Sequence, residues 1–288
     1  EEERIPLIEK FQKMYETMDF YVLYNRFLKK EGYQTLPRRP LEKRKLRYED
    51  VYPVLYLKYR LSRQAERSNI KHLVIDEMQD YSRLQYLIIR RMFSCKMTIL
   101  GDRAQTMADQ QQDVLQFLPG IFGKDLRRIE MRKSYRNTVE IASYAANLIG
   151  VTDLELFERH GMPVLERDVT DLEAALREAV DTLFPDEKTY ETAAVIVPDE
   201  KTAERAYLIL REILAEKDFD CEKRLSWLNR DSSSFKKGLT VTTFYLAKGL
   251  EFDQVFSIFP KDEKREMMMQ AQYIAATRAL HELRVYHI

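Results

Sequence analysis

Two adjacent carboxylates, Asp76 and Glu77, close the short apolar run Lys71–Ile75 (KHLVI) within Val74-Ile75-Asp76-Glu77-Met78-Gln79-Asp80. In a parallel α/β sheet the ligand crevice lies at the carboxyl ends of the strands. A carboxylate presented there can hold Mg²⁺ on a nucleotide, and a second can orient and deprotonate an attacking water. Phosphoryl transfer asks for little beyond such positioning and charge neutralisation. The pair also fits a plainer role, in which Asp76 caps the helix that follows. A second run, Lys96–Leu100 (KMTIL), ends at Gly101-Asp102-Arg103-Ala104-Gln105. A glutamine at such a position can hydrogen-bond a γ-phosphate or its water, or simply belong to a polar loop. Three more clusters follow: Lys133-Ser134-Tyr135-Arg136-Asn137, Ala247-Lys248-Gly249-Leu250-Glu251-Phe252 and Tyr273-Ile274-Ala275-Ala276-Thr277-Arg278-Ala279. Arginines that face a nucleotide from a second domain spread charge off the transferring phosphoryl group. Singly, each is more often a surface ion pair, and Lys248-Gly249 alone reads as a turn.

The elements that must position these residues read as α/β. Lys71–Ile75, a helix over Gln85–Phe93 and Lys96–Leu100 make a strand–helix–strand unit of the kind that builds a parallel sheet. A second series starts near Leu126. Its candidate strands are Leu126–Glu130, Pro163–Glu166, Ala193–Val197, Thr240–Phe244, Gln254–Phe259 and Leu283–His287. Its candidate helices are Thr138–Ile149, Asp171–Leu183, Lys201–Ala215 and Lys264–Leu280, with Ser232–Ser234 in a loop. Residues 1–70 read as helical: Leu7, Phe11, Met14, Met18 and Tyr21 recur at helical spacing, followed by Leu23 and Phe27. A basic, proline-containing connector (Lys29–Lys45) precedes a helix over Asp50–Glu66 that starts near Pro53. Pro119-Gly120 interrupts the helical pattern, which sets a domain boundary near 120–126.

Composition narrows the class. The chain has 288 residues, so roughly 150 residues per domain suggests two domains. Basic and acidic residues number 47 each, which argues against a histone-like binder acting by charge alone while leaving room for a local basic groove. Cys95 and Cys221 form neither a metal-ligand pattern nor a disulfide framework, which fits a reducing cytoplasm. No apolar run approaches the ~20 residues of a membrane span.

Taken in order, the series VIDEMQD, ILGDRAQ, KSYRN, TTFYLAKGLEF and YIAATRA resembles motifs II to VI of the UvrD/Rep family of superfamily 1 helicases, over about residues 71–288. KGLEF is the most specific of the five. The resemblance implies a P-loop NTPase fold: two RecA-like α/β domains with ATP in the cleft between them, and a helicase or translocase that couples ATP hydrolysis to movement on nucleic acid, DNA being the expected track. The remainder of domain 1A would cover 71–125, and domain 2A would cover 126–288. Residues 1–70 would be an insertion or part of the first domain. Carried over residue by residue, Asp76 would coordinate Mg²⁺, Glu77 would be the catalytic base and Gln105 would sense the γ-phosphate. Arg136 and Arg278 would be arginine fingers. Glu251 would meet the ribose, and Gly249 would allow close backbone approach. Thr243 would contact the nucleic-acid backbone, with Tyr245 beside it where the family usually has His. Gln79 and Asp80 would couple the nucleotide site to the strand track.

Three departures qualify this picture. No G-x-x-x-x-G-K-[ST] occurs, and Gly32 is the only glycine before motif II. A P-loop supplies backbone N–H donors and a lysine to the β- and γ-phosphates. The first residue is Glu1 rather than Met. The expectation is therefore a fragment whose P-loop lies upstream and which alone binds ATP weakly or not at all; a scaffold that has lost the loop is the alternative. The segment Thr106–Gln112 lacks the aromatic residues that usually stack on single-stranded bases there. Only about 100 residues separate Asn137 from Leu239, too few for a large 2B insertion. These features point to the HelD and helicase IV-like branch, with RNA polymerase as a candidate partner.

Overall fold

The computed structural model describes residues 17, 19–61, 67, 69–102, 105, 113–131, 133–152, 155–184, 190–217, 220–232, 237–261 and 266–288. The expected helical spacing from Leu7 to Met18, and the aromatic-poor stretch Thr106–Gln112, lie outside the described residues. The chain divides into two compact units: Glu1–Arg103 with Ala108–Arg127, and Ala104–Met107 with Arg128–Ile288.

In the first unit, α1 (Phe20–Lys30) starts where the Asp19 carboxylate accepts from the Tyr21 and Val22 amides. Helix α2 (Tyr48–Leu61) begins before Pro53 and carries it inside, against the expected start. Tyr21, Tyr24, Leu28 and Leu36 form a small core with Val54 and Leu57 of α2. Strands β1 (His72–Ile75) and β2 (Lys96–Ile99) pair in parallel, in register from His72↔Lys96 to Ile75↔Ile99. Between them α3 (Arg83–Met92) opens with a capping box: Ser82 accepts from the Gln85 amide while the Gln85 side chain accepts from the Ser82 amide. Helix α4 (Val114–Phe122) follows. It runs through Pro119-Gly120 and stops at Gly123, whose φ of 71° is one that glycine adopts freely. Ile75 packs with Tyr86 of α3 and with Val114 and Leu118 of α4. Val74, of opposite parity on β1, is 60% exposed.

The second unit is α/β with a parallel sheet, as expected; of its six strands, Leu225–Trp227 is not among those expected. Its strands are β5 (Leu165–Asp168), β6 (Thr192–Val197), β7 (Leu225–Trp227), β8 (Gly238–Thr243), β9 (Phe252–Phe259) and β10 (Ala279–His287), in the order β5-β10-β9-β6-β8-β7. Its helices are α5 (Val139–Leu148), α6 (Leu172–Asp181), α7 (Glu200–Ala215), α8 (Cys221–Arg224) and α9 (Glu266–Ala276). Strand β6 reads TAAVIV and is apolar on both faces, because both are covered. Ala193, Val195 and Val197 face Leu176 and Ala179 of α6 and Leu210 of α7. Ala194 and Ile196 face Ile141 of α5 and Ile274 of α9.

Several boundaries differ from expectation. Leu126–Glu130 is not a strand, and Ile129 is exposed. The second unit instead opens with a short parallel pair, β3 (Lys133–Ser134) and β4 (Glu155–Leu156). Helix α9 ends at Ala276 rather than Leu280, and β10 begins at Ala279 rather than Leu283. Asn137 holds that junction by donating Nδ2 to the Ala279 carbonyl (2.6 Å) and the Thr277 carbonyl (3.3 Å). No described helix is long and apolar enough to cross a membrane.

Gly238 opens β8 at φ 115°, and a Cβ there would overlap the Arg224 carbonyl. Gly238→Ala therefore combines backbone strain, roughly 1–3 kcal/mol, with a backbone clash. A lowered unfolding midpoint in denaturant at unchanged m-value is the expected result.

Candidate functional site

The carboxylates of the first unit sit on a braced loop. Ile75 ends β1, Asp76 is exposed and Glu77 adopts φ 53°, ψ 50°. Left-handed backbone at a non-glycine residue costs roughly 1–3 kcal/mol and persists only where the surroundings impose it. The Glu77 amide donates to Asp76 Oδ1 (2.8 Å). The Gln79 Nε2 donates to Glu77 Oε2 (2.5 Å), and its Oε1 accepts from the Asp102 amide (3.1 Å). One buried side-chain amide thus ties the candidate base to the end of the next strand. The backbone repeats the link: Met78 N donates to Leu100 O and Leu100 N donates to Ile75 O, each at 2.8 Å. From below, the Tyr86 hydroxyl donates to Met78 O (3.0 Å). Burial pushes the Tyr86 pKa well above its ordinary value, so the phenol stays a donor at any physiological pH. Gly101 closes the brace, because a Cβ there would overlap Gln79 Oε1 and stand 2.6 Å from Met78 N. Asp76 does not cap α3; Ser82 does. Asp80 ends the short 3-10 turn Met78–Asp80 and is exposed.

In the second unit, Gln105 meets Arg278 and Lys248 through neutral oxygens. Gln105 clusters with this unit and is buried. Its Oε1 accepts from Arg278 Nη2 and its carbonyl accepts from Lys248 Nζ, both at 3.3 Å. Arg278 is 2% exposed. It also donates to the Ile274 and Leu250 carbonyls (3.3 Å each) and to Thr277 Oγ1 (3.1 Å). Arg136 lies at the surface, its Nε 2.7 Å from Glu251 Oε1. The ordinary surface ion-pair role thus holds for Arg136 in this state, whereas Arg278 is buried. Gly249 has φ 83°, and a Cβ there would meet nothing within 4 Å. Its backbone conformation, not crowding within the chain, is what calls for glycine. Thr243 is fully buried, and its Oγ1 has no hydrogen-bond partner among the described residues. The hydroxyl therefore does not reach solvent in this state. Tyr245 stacks edge-on against Phe244, ring centroids 5.3 Å apart.

Two residues without an assigned role belong to this framework. Asn137 joins the Arg136 segment to the turn that carries Arg278. Arg159 donates Nη1 to the Arg136 carbonyl (3.2 Å) and Nη2 to the Leu280 carbonyl (2.7 Å). Nothing in the spacing around Arg159 marks it; only the fold brings it there. Its Nη2 also lies 3.0 Å from His281 Nδ1. A guanidinium can only donate, so Nδ1 must be the acceptor and the ring proton sits on Nε2, facing Asp253 Oδ1 at 3.7 Å. The Asp253 carboxylate is itself held by the Glu191 and Thr192 amides and the Thr192 hydroxyl. No group of three or more metal-binding side chains occurs among the described residues.

Residues 4–107 match the family described as the UvrD/REP helicase N-terminal domain. That match supports a superfamily 1 helicase relationship. Among solved structures, the chain is similar to the C-terminal domain of a possible DNA helicase from Lactobacillus plantarum WCFS1, with 23% identity, 54% of this chain and 88% of that chain covered, and a TM-score of 0.40. It is also similar to a PRRSV helicase, with 16% identity, 77% and 36% covered, and a TM-score of 0.44. An arterivirus nonstructural protein 10 (helicase) in complex with DNA gives 14% identity, 77% and 41% covered, and a TM-score of 0.43. The chain thus spans well under half of these viral helicases. No curated protein matches the sequence.

Burial first, and then the Arg159 charge, lower the His281 pKa below its usual 6.5. A histidine with a depressed folded-state pKa binds fewer protons than in the unfolded chain. Its contribution to stability is intact above pH 6.5 and is lost as pH falls from there through the folded value. Imidazole titration followed by NMR should give a midpoint below 6.5. In Arg159→Met the midpoint should rise but remain below 6.5, since burial persists; no change would remove Arg159 from contact with the ring.

Proposed function

We propose that this chain carries the motor residues of a superfamily 1 helicase or translocase that couples ATP hydrolysis to movement on nucleic acid, with DNA the expected track. The observation that carries this reading is the strained Glu77 beside the exposed Asp76, locked to the end of β2 by the Gln79 amide. A left-handed, doubly braced glutamate at a strand's carboxyl end is costly for a mere loop residue and suits a group that must point at a reacting water.

In this reading Asp76 holds Mg²⁺ and Glu77 accepts the proton of the attacking water. The bound metal neutralises charge on the phosphate oxygens. Gln79 transmits the state of Glu77 to the Asp102 backbone, which suits a coupling residue, with Asp80 on the adjoining turn. Gln105, fixed by Arg278 and Lys248, senses the γ-phosphate. Arg136 becomes available when it leaves Glu251, and an exposed pair of this kind is worth only about 0–1 kcal/mol. Glu251 is then released toward the ribose. Thr243 and Tyr245 face the strand track once the turn after β8 opens. Within the first unit, Asp76 and Glu77 supply the carboxylates that a nucleotide-bound Mg²⁺ and its attacking water would need. No glycine-rich phosphate loop of the form G-x-x-x-x-G-K-[ST] occurs in the 288 residues. All described residues from Asn137 to Leu239 belong to the second unit, with no separately folded insertion among them, which supports the compact, HelD-like form of the motor.

The test is ATP turnover by the intact protein, with and without single-stranded DNA. Glu77→Gln should lower kcat by roughly 10²-fold or more while nucleotide binding persists, consistent with loss of a general base. Full turnover in that variant would overturn the assignment. Turnover without strand separation would favour a translocase over an unwinding enzyme.

A further inference from the structure

We propose that the basic segment of residues 29–45, outside all the helicase-like motifs, is a pre-organised contact for the backbone of a single nucleic-acid strand. The choice of nucleic acid as the polyanion rests on the reading above; the surface itself rests on the following observations. The chain is neutral as a whole, yet these seventeen positions hold seven basic residues against two acidic ones. Arg44 is used internally, pairing with Asp19 and lying over the Tyr21 ring at 4.7 Å. The other six, Lys29, Lys30, Arg38, Arg39, Lys43 and Lys45, are exposed.

The segment is not a loose linker. Asn25 clamps Leu36 from both sides, with Nδ2 donating to the Leu36 carbonyl (3.1 Å) and Oδ1 accepting from the Leu36 amide (2.7 Å). Leu36 itself is buried in the small core of the first unit. The Tyr21 hydroxyl donates to Pro37 O (2.7 Å), and Arg44 Nε donates to Arg39 O (2.9 Å). Pro37 and Pro40 restrict the backbone on either side of Arg38-Arg39. The cations therefore stand on a held backbone, and ordering them costs little on binding. Tyr33 is 64% exposed on the same stretch, which offers a base a stacking face. An exposed aromatic among cations favours nucleic acid over an acidic protein, which has no bases to stack.

The experiment is fluorescence anisotropy of a labelled single-stranded oligonucleotide with the whole protein across a salt series. Removing three phosphate contacts with Arg38→Glu/Arg39→Glu/Lys43→Glu should weaken binding at least tenfold at low salt. It should also flatten the slope of log affinity against log salt by about two, at roughly 0.7 per contact. The glutamine version of the same triple change keeps the fold free of added repulsion and should give a smaller loss with the same change of slope. Tyr33→Ala should weaken binding about fivefold or more without changing the slope. Absent strand binding, variants that bind like the parent, or polyglutamate that binds as tightly as the oligonucleotide would each overturn the proposal. Loss of this surface with Glu77-dependent ATP turnover intact leaves the function standing. Strand binding here with turnover indifferent to Glu77 does the reverse.

Discussion

The side-chain amide of Gln79 is the constraint on which the carboxylate loop of the first unit depends. A single buried group donates to the Glu77 carboxylate and accepts from the Asp102 amide, so two strand ends share one set of hydrogen bonds. Buried amides are costly unless both ends are satisfied. That requirement is what holds Glu77 in a left-handed conformation it would not otherwise keep. Gly101 leaves the space, and Tyr86 supports the loop from the core. Glu77 and the segment after β2 therefore share one buried side chain.

The second unit solves a different problem, the placement of a buried arginine. Arg278 lies among the Ile274, Leu250, Thr277 and Gln105 oxygens, which fix its direction as a carboxylate pair on a flexible stem would not. Asn137 and Arg159 hold the neighbouring carbonyls of Thr277, Ala279, Leu280 and Arg136. The two arginines of the candidate site thus differ in kind. Arg278 is built into the fold, whereas Arg136 is a surface side chain paired with Glu251 and replaceable at small cost.

The basic segment and the motif loops share a design. In both, a polar side chain returns to a backbone group of another segment: Asn25 to Leu36, Gln79 to Asp102, Asn137 to Ala279. Such returns make irregular chain rigid without secondary structure, which lets charged side chains face solvent from fixed positions.

The amino-acid order alone determined the class of fold and the chemistry on offer. Apolar runs ending in carboxylates, glycine or glutamine identify parallel strands with a ligand edge. Five of the six strands expected in the second unit and all four of its helices lie close to their expected places, because an apolar period survives local noise. The sixth, Leu126–Glu130, has the composition of a strand but is not paired as one, and pairing is a tertiary fact. The short pair β3 and β4 was illegible for the same reason. Pro53 and Pro119 looked like boundaries and lie inside helices, since packing of Val54 and Leu57, and of Leu118, outweighs one lost backbone bond on each. Only the tertiary structure decided that Gln79 is a clamp, that Gly249 serves its own backbone angle, that Thr243 is buried, and that Arg159 braces Arg136. Residue type and spacing state which groups can react. Which oxygen each donor meets depends on chain segments that can lie more than a hundred residues apart, and only the folded backbone brings those together.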